Sequence, residues 1–179
     1  MGSIFSPKPV LLFVAVFSSD SSAFDWVRKR AEDQWGTLVL ESEPFPFETF
    51  TDYYVASMGP VLPKRLWAFE NLIQPDMLPG IKCLTNDWEA EFKSLSTSPV
   101  ERPLNIDPGY ITLGKLILAS TKDHAHRIYL SKGIFAETTL MFTKKQWQPL
   151  PWTYPDYQST GYQKFLTQCR EYLKSSRSR

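Results

Sequence analysis

Val10-Leu-Leu-Phe-Val-Ala-Val-Phe17 is an unbroken apolar run, bounded by Pro9 before it and by Ser18-Ser19-Asp20 after it. A strand with one wet face alternates apolar and polar side chains. A continuous run between turn residues instead marks a strand covered on both faces. The run is far too short to cross a bilayer. Its length also fits the core of a secretory signal, but prolines 7 and 9 flank the one nearby charge, Lys8, and Asp20 stands where small residues are preferred. A central strand is the better account.

Reading outward, Phe24, Val27, Ala31 and Trp35 recur at helical spacing, with Ser21 or Ser22 as N-cap and Gly36 as stop. Thr37–Glu41 reads as a second strand, after which Pro44-Phe45-Pro46-Phe47 interrupts regular structure. Thr51–Ala56 and Arg65–Leu72 read as extended, with Gly59, Pro60 and Pro63 between them. Asn86-x-x-Glu89 has the form of a capping box opening a short helix through Trp88, Phe92 and Leu95. Near the far end, Tyr162, Phe165, Leu166, Cys169, Tyr172 and Leu173 make one apolar helical stripe. Together these elements predict an α+β fold, a mainly antiparallel sheet with helices packed on it. A ferredoxin-like arrangement with an added β-hairpin is the candidate topology.

The chain of 179 residues is sized for one globular domain over 1–179, ordered over about 8–174 with flexible ends. Its 42% hydrophobic and 15% aromatic content supplies a core and excludes disorder for the body of the chain. A net charge of +1 gives no global pull towards nucleic acid or membrane, so neither is expected as a partner. The one basic run, Lys174 to Arg179, reads as a solvated terminus. Cys83 and Cys169 cannot build a disulfide framework, and neither lies in a Cys-x-x-Cys motif, which fits a reducing compartment.

Side chains suited to chemistry gather between Asn105 and Glu137, a stretch that includes both histidines. Within it, Ser131-Lys132-Gly133 reads as a hairpin loop with Gly133 left-handed. The pairing that keeps Ile128, Leu130, Ile134 and Ala136 on one face sets Leu130 opposite Ile134, Tyr129 opposite Phe135 and Arg127 opposite Glu137. Arg127 and Glu137 then form a cross-strand ion pair, or an oriented guanidinium that meets a phosphate. His124, His126 and Glu137 are the candidates for proton transfer, and Lys122, Arg127, Asp107 and Tyr110 for holding a small phosphorylated or nucleotide-like ligand. His124-x-His126 would need a third ligand from Asp107, Asp123 or Glu137 to bind metal, and a hydrogen-bonded buried histidine is simpler. A divalent metal is thus compatible with the stretch but not required by it. Neither Walker loop, dinucleotide glycine pattern nor Gly-x-Ser-x-Gly elbow is present. The alternative function is a noncatalytic adaptor contacting protein or RNA through Trp147, Trp152, Tyr154 and Tyr157, although the neighbouring prolines favour rings held against the core.

Several blocks carry a family likeness: Thr51-Asp-Tyr-Tyr54 leading to Met58-Gly59, Leu66–Ile73, Ile81–Asn86, Asn105-Ile-Asp-Pro-Gly-Tyr110, Leu118 to Leu130 continuing to Thr139-Leu140, and Pro151-Trp-Thr-Tyr-Pro-Asp-Tyr157. Together they resemble the prokaryotic domain of unknown function numbered 4416. The resemblance covers nearly the whole chain and implies a bacterial or archaeal cytoplasmic origin, with no established activity. Val55-Ala56-Ser57 depart from it, standing where the family pattern carries acidic residues.

Overall fold

The computed structural model describes residues 2–177. Strand β1, Leu11–Phe17, is buried along its whole length and pairs antiparallel with β4 (Pro63–Phe69) on one side and β5 (Asn105–Ile111) on the other. Its two faces feed two cores. Leu12, Val14 and Val16 pack with Ala23, Val27, Ala31 and Trp35 of α1 (Ser22–Trp35) and with Ile81, Trp88 and Phe92 of α3 (Leu78–Leu95). Leu11, Phe13 and Ala15 meet Tyr162, Phe165, Leu166, Cys169 and Leu173 of α4 (Thr160–Ser176). This is why the run from Val10 to Phe17 has no polar face.

Strand β2, Leu38–Glu41, lies beyond β4, giving the order β2-β4-β1-β5 with α1 and α3 as connections. That is the ferredoxin-like arrangement, β1-α1-β2-β4-α3-β5. A two-residue strand, β3 (Phe45–Pro46), also pairs with β4. The sheet then continues past β5 through β6 (Lys115–Ser120) and β8 (Ile134–Thr143), with β7 (Ile128–Ser131) and β9 (Gln146–Pro149) sharing the outer side of β8. The extension is therefore more than one hairpin. In the gap between β7 and β9, Trp152 Nε1 donates to the Thr138 carbonyl (2.9 Å) and Thr153 Oγ1 to that of Thr139.

Four local expectations need correction. Thr51–Ala56 is not extended: it is a turn entering the short helix α2, Val55–Met58, whose Met58 joins Phe17, Phe47 and Leu62 in a small core. Asn86 and Glu89 are not a capping box but the middle of α3, which begins eight residues earlier with Pro79 in its first turn, where a missing N–H costs nothing. In the hairpin, Tyr129 faces Phe135 and Ile128 faces Ala136 as expected, but Ser131 takes the place opposite Ile134 across a bulge. Lys132 (φ 55°) and Gly133 (φ 73°) are both left-handed, as a two-residue turn demands. Ile128 and Leu130 are exposed, because none of the described residues covers this face of the edge strand. Lastly, the basic run is helical through Ser176, and the Arg177 guanidinium donates to the Pro9 carbonyl. Residues 178 and 179 lie outside the described residues.

Candidate functional site

β5 and β6 pair at one end only. Their ladder runs from Ile111–Leu116 to Gly109–Leu118 and stops. Pro108, the next residue of β5, has no N–H with which to continue it. At Gly109 a Cβ would lie 2.2 Å from the Ile117 carbonyl oxygen, so this close approach of the two backbones excludes any side chain. Past that point Asn105, Ile106 and Asp107 keep β1 as partner and lose β6. Helix α3 supplies what β6 does not. The Glu89 carboxylate accepts from the Ile106 N–H (2.7 Å), and Lys82 Nζ donates to the Ile106 carbonyl (2.8 Å). Buried backbone groups without a strand partner require such substitutes.

The parting of the strands opens a cavity of about 420 Å³, within the range of small-molecule sites. Its walls come from segments far apart in sequence: Phe47 to Tyr54, Lys64, Lys82 and Asn86 of α3, Arg102 to Asp107, Leu118 to Lys122, and 154–157. Asp107 lies opposite Ala15 and Lys64 opposite Phe17, so both project from the sheet towards the α4 side.

Each carboxylate on the wall has its own cation. Lys64 Nζ stands 2.8 Å from Asp156 Oδ2, inside a box of rings with Phe47 at 4.2 Å, Phe17 and Tyr157 at 5.1 Å and Tyr162 at 5.7 Å. Arg127 Nε donates to Glu137 Oε2 (2.7 Å), while its Nη1 donates to Ser120 Oγ (2.7 Å) and to the Lys122 carbonyl (3.1 Å), and its Nη2 to Tyr154 Oη (3.3 Å). Lys82 Nζ reaches Asp107 Oδ1 at 3.3 Å, and Asn105 Nδ2 donates to Asp107 Oδ2 (2.8 Å). Arg102 is bound to Glu89 (2.9 Å) and Asn105. Among the described residues Lys122 has no carboxylate partner; its ammonium sits 5.2 Å over the exposed ring of Tyr53 at the mouth.

Burial alone would raise the Asp107 carboxyl, but Lys82, Lys64, the Asn105 amide and Arg102 hold it below the ordinary range. Glu89 behaves oppositely: burial raises it in spite of Lys82 and Arg102. The phenol of Tyr54 is pushed up by burial and then by Asp107, and that of Tyr157 well up by burial and Asp156. Tyr157 Oη is buried with no hydrogen-bond partner among the described residues.

Residues 8–172 match the family model described as Domain of unknown function (DUF4416). The chain belongs to that family. No curated protein and no solved structure matches it. Of the blocks that carry the likeness, all but Leu66–Ile73 supply residues to the cavity wall of this DUF4416 protein. Among the described residues, no helix is long and apolar enough to cross a membrane.

Of the residues singled out from sequence, Asp107, Lys122, Arg127 and Glu137 line the cavity. Tyr110 does not. It lies opposite Leu12 and packs with the α1/α3 core on the other face of the sheet. Both imidazoles are also outside: His124, His126 and Trp152 form a parallel stack, with ring centroids 5.8 and 5.0 Å apart. His126 Nε2 nevertheless lies 3.1 Å from Glu137 Oε2, the oxygen that receives Arg127. No group of three or more His, Cys, Asp or Glu among the described residues could hold a metal ion. Of the aromatic segment, Trp147 and Tyr157 are buried, Trp152 is half-buried, and Tyr154 alone is open.

Sequence reading missed Lys64, Lys82, Arg102 and Asp156. Two signals were available. Lys64 shares the inward face of β4 with Leu66 and Ala68, and Lys82 falls on the apolar stripe of α3 with Leu78, Ile81, Thr85 and Trp88. A lysine on a core-facing position is the kind of polar residue that asks for an explanation.

Proposed function

We propose that this DUF4416 protein binds a small anionic ligand, of the phosphorylated or nucleotide-like class, in the cavity where β5 and β6 part. One observation carries the reading. Among the described residues on the wall, five are cationic and three are carboxylates, and every one of those carboxylates is already matched by a lysine or arginine. Arg102 is paired in turn with Glu89 of α3, so the surplus falls on Lys122 at the mouth. A low-dielectric cleft with surplus positive charge concentrates anions. Phe50, Tyr53, Tyr54 and Tyr154 line the same space and offer flat faces to a ring. Both imidazoles stand outside, so the reading is one of binding. On this reading the protein works in the cytoplasm of a prokaryote, which its two free thiols support.

Thermal unfolding against inorganic phosphate, ribose 5-phosphate, adenosine 5′-monophosphate and guanosine 5′-monophosphate tests the proposal. At a hundredfold excess over Kd, a ligand of the native state should raise Tm by about 5–10 °C. Lys122→Ala should shrink that rise. A flat response to all four compounds would remove the proposal.

A further inference from the structure

Asp156 and Glu137 are sealed into the cavity wall, each with a side chain 2% exposed, whereas the Asp107 side chain is 33% exposed. Lys82 holds one Asp107 oxygen and Asn105 the other, so the carboxylate is fixed in direction. A carboxylate can accept about four hydrogen bonds. These two donors leave acceptor capacity on both oxygens, at the edge from which β6 has withdrawn.

We infer that Asp107 accepts a hydrogen bond from a hydroxyl group of the bound ligand, which narrows the ligand class to hydroxylated phosphates such as sugar phosphates and ribonucleotides. The inference rests on the binding reading above and adds to it a polarity along the cavity. An ionised carboxylate repels a phosphate, so the anionic end of the ligand faces Lys122 and the donor end faces Asp107. An amine is a poor donor here, because the Lys82 ammonium lies 3.3 Å from the same carboxylate. A hydroxyl brings the proton without the charge.

Calorimetry with matched pairs tests this: adenosine 5′-monophosphate against its 2′,3′-dideoxy analogue, and glycerol 3-phosphate against n-propyl phosphate. In the unaltered protein the hydroxylated member of each pair should bind at least about tenfold more tightly, the scale of one hydrogen bond to a charged group. Asp107→Ala should abolish that factor while the hydroxyl-free phosphates bind no more weakly, since a negative charge has left the cavity. A misfolded variant would lose both. Equal binding within each pair of the unaltered protein overturns the role of Asp107 and leaves the anionic site standing. A factor that survives Asp107→Ala in a folded variant also overturns it. Binding of none of the four compounds sinks the anionic reading itself.

Discussion

Lys64 and Lys82 both hold an ammonium beside an aspartate, and the two pairs serve different ends. Lys64–Asp156 is closed: four aromatic rings surround the ammonium and both side chains are almost wholly buried. Lys82–Asp107 is open: the lysine also serves a backbone carbonyl left without a strand partner, and the aspartate faces a cavity. Burial strengthens the attraction within an ion pair but also raises the cost of taking both charges out of water. A closed pair of this sort ties α4 and its preceding turn to the sheet. An open one leaves a charged acceptor available to a ligand.

Removing one partner of the closed pair should have the largest effect. Asp156→Ala strands the Lys64 ammonium among rings and should cost about 3–5 kcal/mol of stability by urea unfolding. Lys64→Met with Asp156→Leu should recover most of that loss, because well-packed apolar groups can replace a buried pair. A cost below about 1 kcal/mol for Asp156→Ala would mean that the pair is not sealed.

The place where the strands part can be disturbed directly. Gly109→Ala sets a methyl group 2.2 Å from the Ile117 carbonyl and should cost about 1–3 kcal/mol, the range of overpacked cores. Unfolding midpoints check this, and a neutral result would contradict the close approach of β5 and β6.

For the open pair, Asp107→Ala should cost only about 1 kcal/mol at neutral pH, because water reaches the carboxylate and Lys82 keeps the Ile106 carbonyl. The sign of its pH dependence follows from its lowered folded pKa. Asp107 contributes stability above its unfolded value of about 3.9, and that contribution is lost as pH falls through the lower folded value. Wild type should therefore converge on Asp107→Ala below about pH 4 in unfolding measurements. Divergence there would reverse the assignment. Smallest of all, Lys122→Ala should leave stability within about 0.5 kcal/mol, as expected for a surface position, while weakening phosphate binding.

The same contrast explains what could be read from the sequence. Val10–Phe17 and the stripe from Tyr162 to Leu173 announce themselves because burial demands long apolar periodicity. Only the second half of α3 is legible, because Asn86-x-x-Glu89 mimics a capping box and the polar Lys82 and Thr85 interrupt the stripe ahead of it. The interruption marks the cavity wall: Lys82 is buried where β5 lacks β6 beside it. Arg127–Glu137 was legible from hairpin register, which is local. The pairs Lys64–Asp156 and Lys82–Asp107 join residues 92 and 25 positions apart, and no periodicity within a single element carries that information. The two histidines stand out by rarity, yet rarity does not decide direction: His126 stacks on Trp152 and His124 on His126, outside the cavity.

Amide hydrogen exchange with and without saturating ribose 5-phosphate gives the most direct trial of a ligand site at the parted strands. Slowed exchange should concentrate in 50–54, 105–107 and 118–122, which border the cavity, and spare the exposed edge strand Ile128–Ser131. Protection confined to that edge, or absent everywhere, would contradict it.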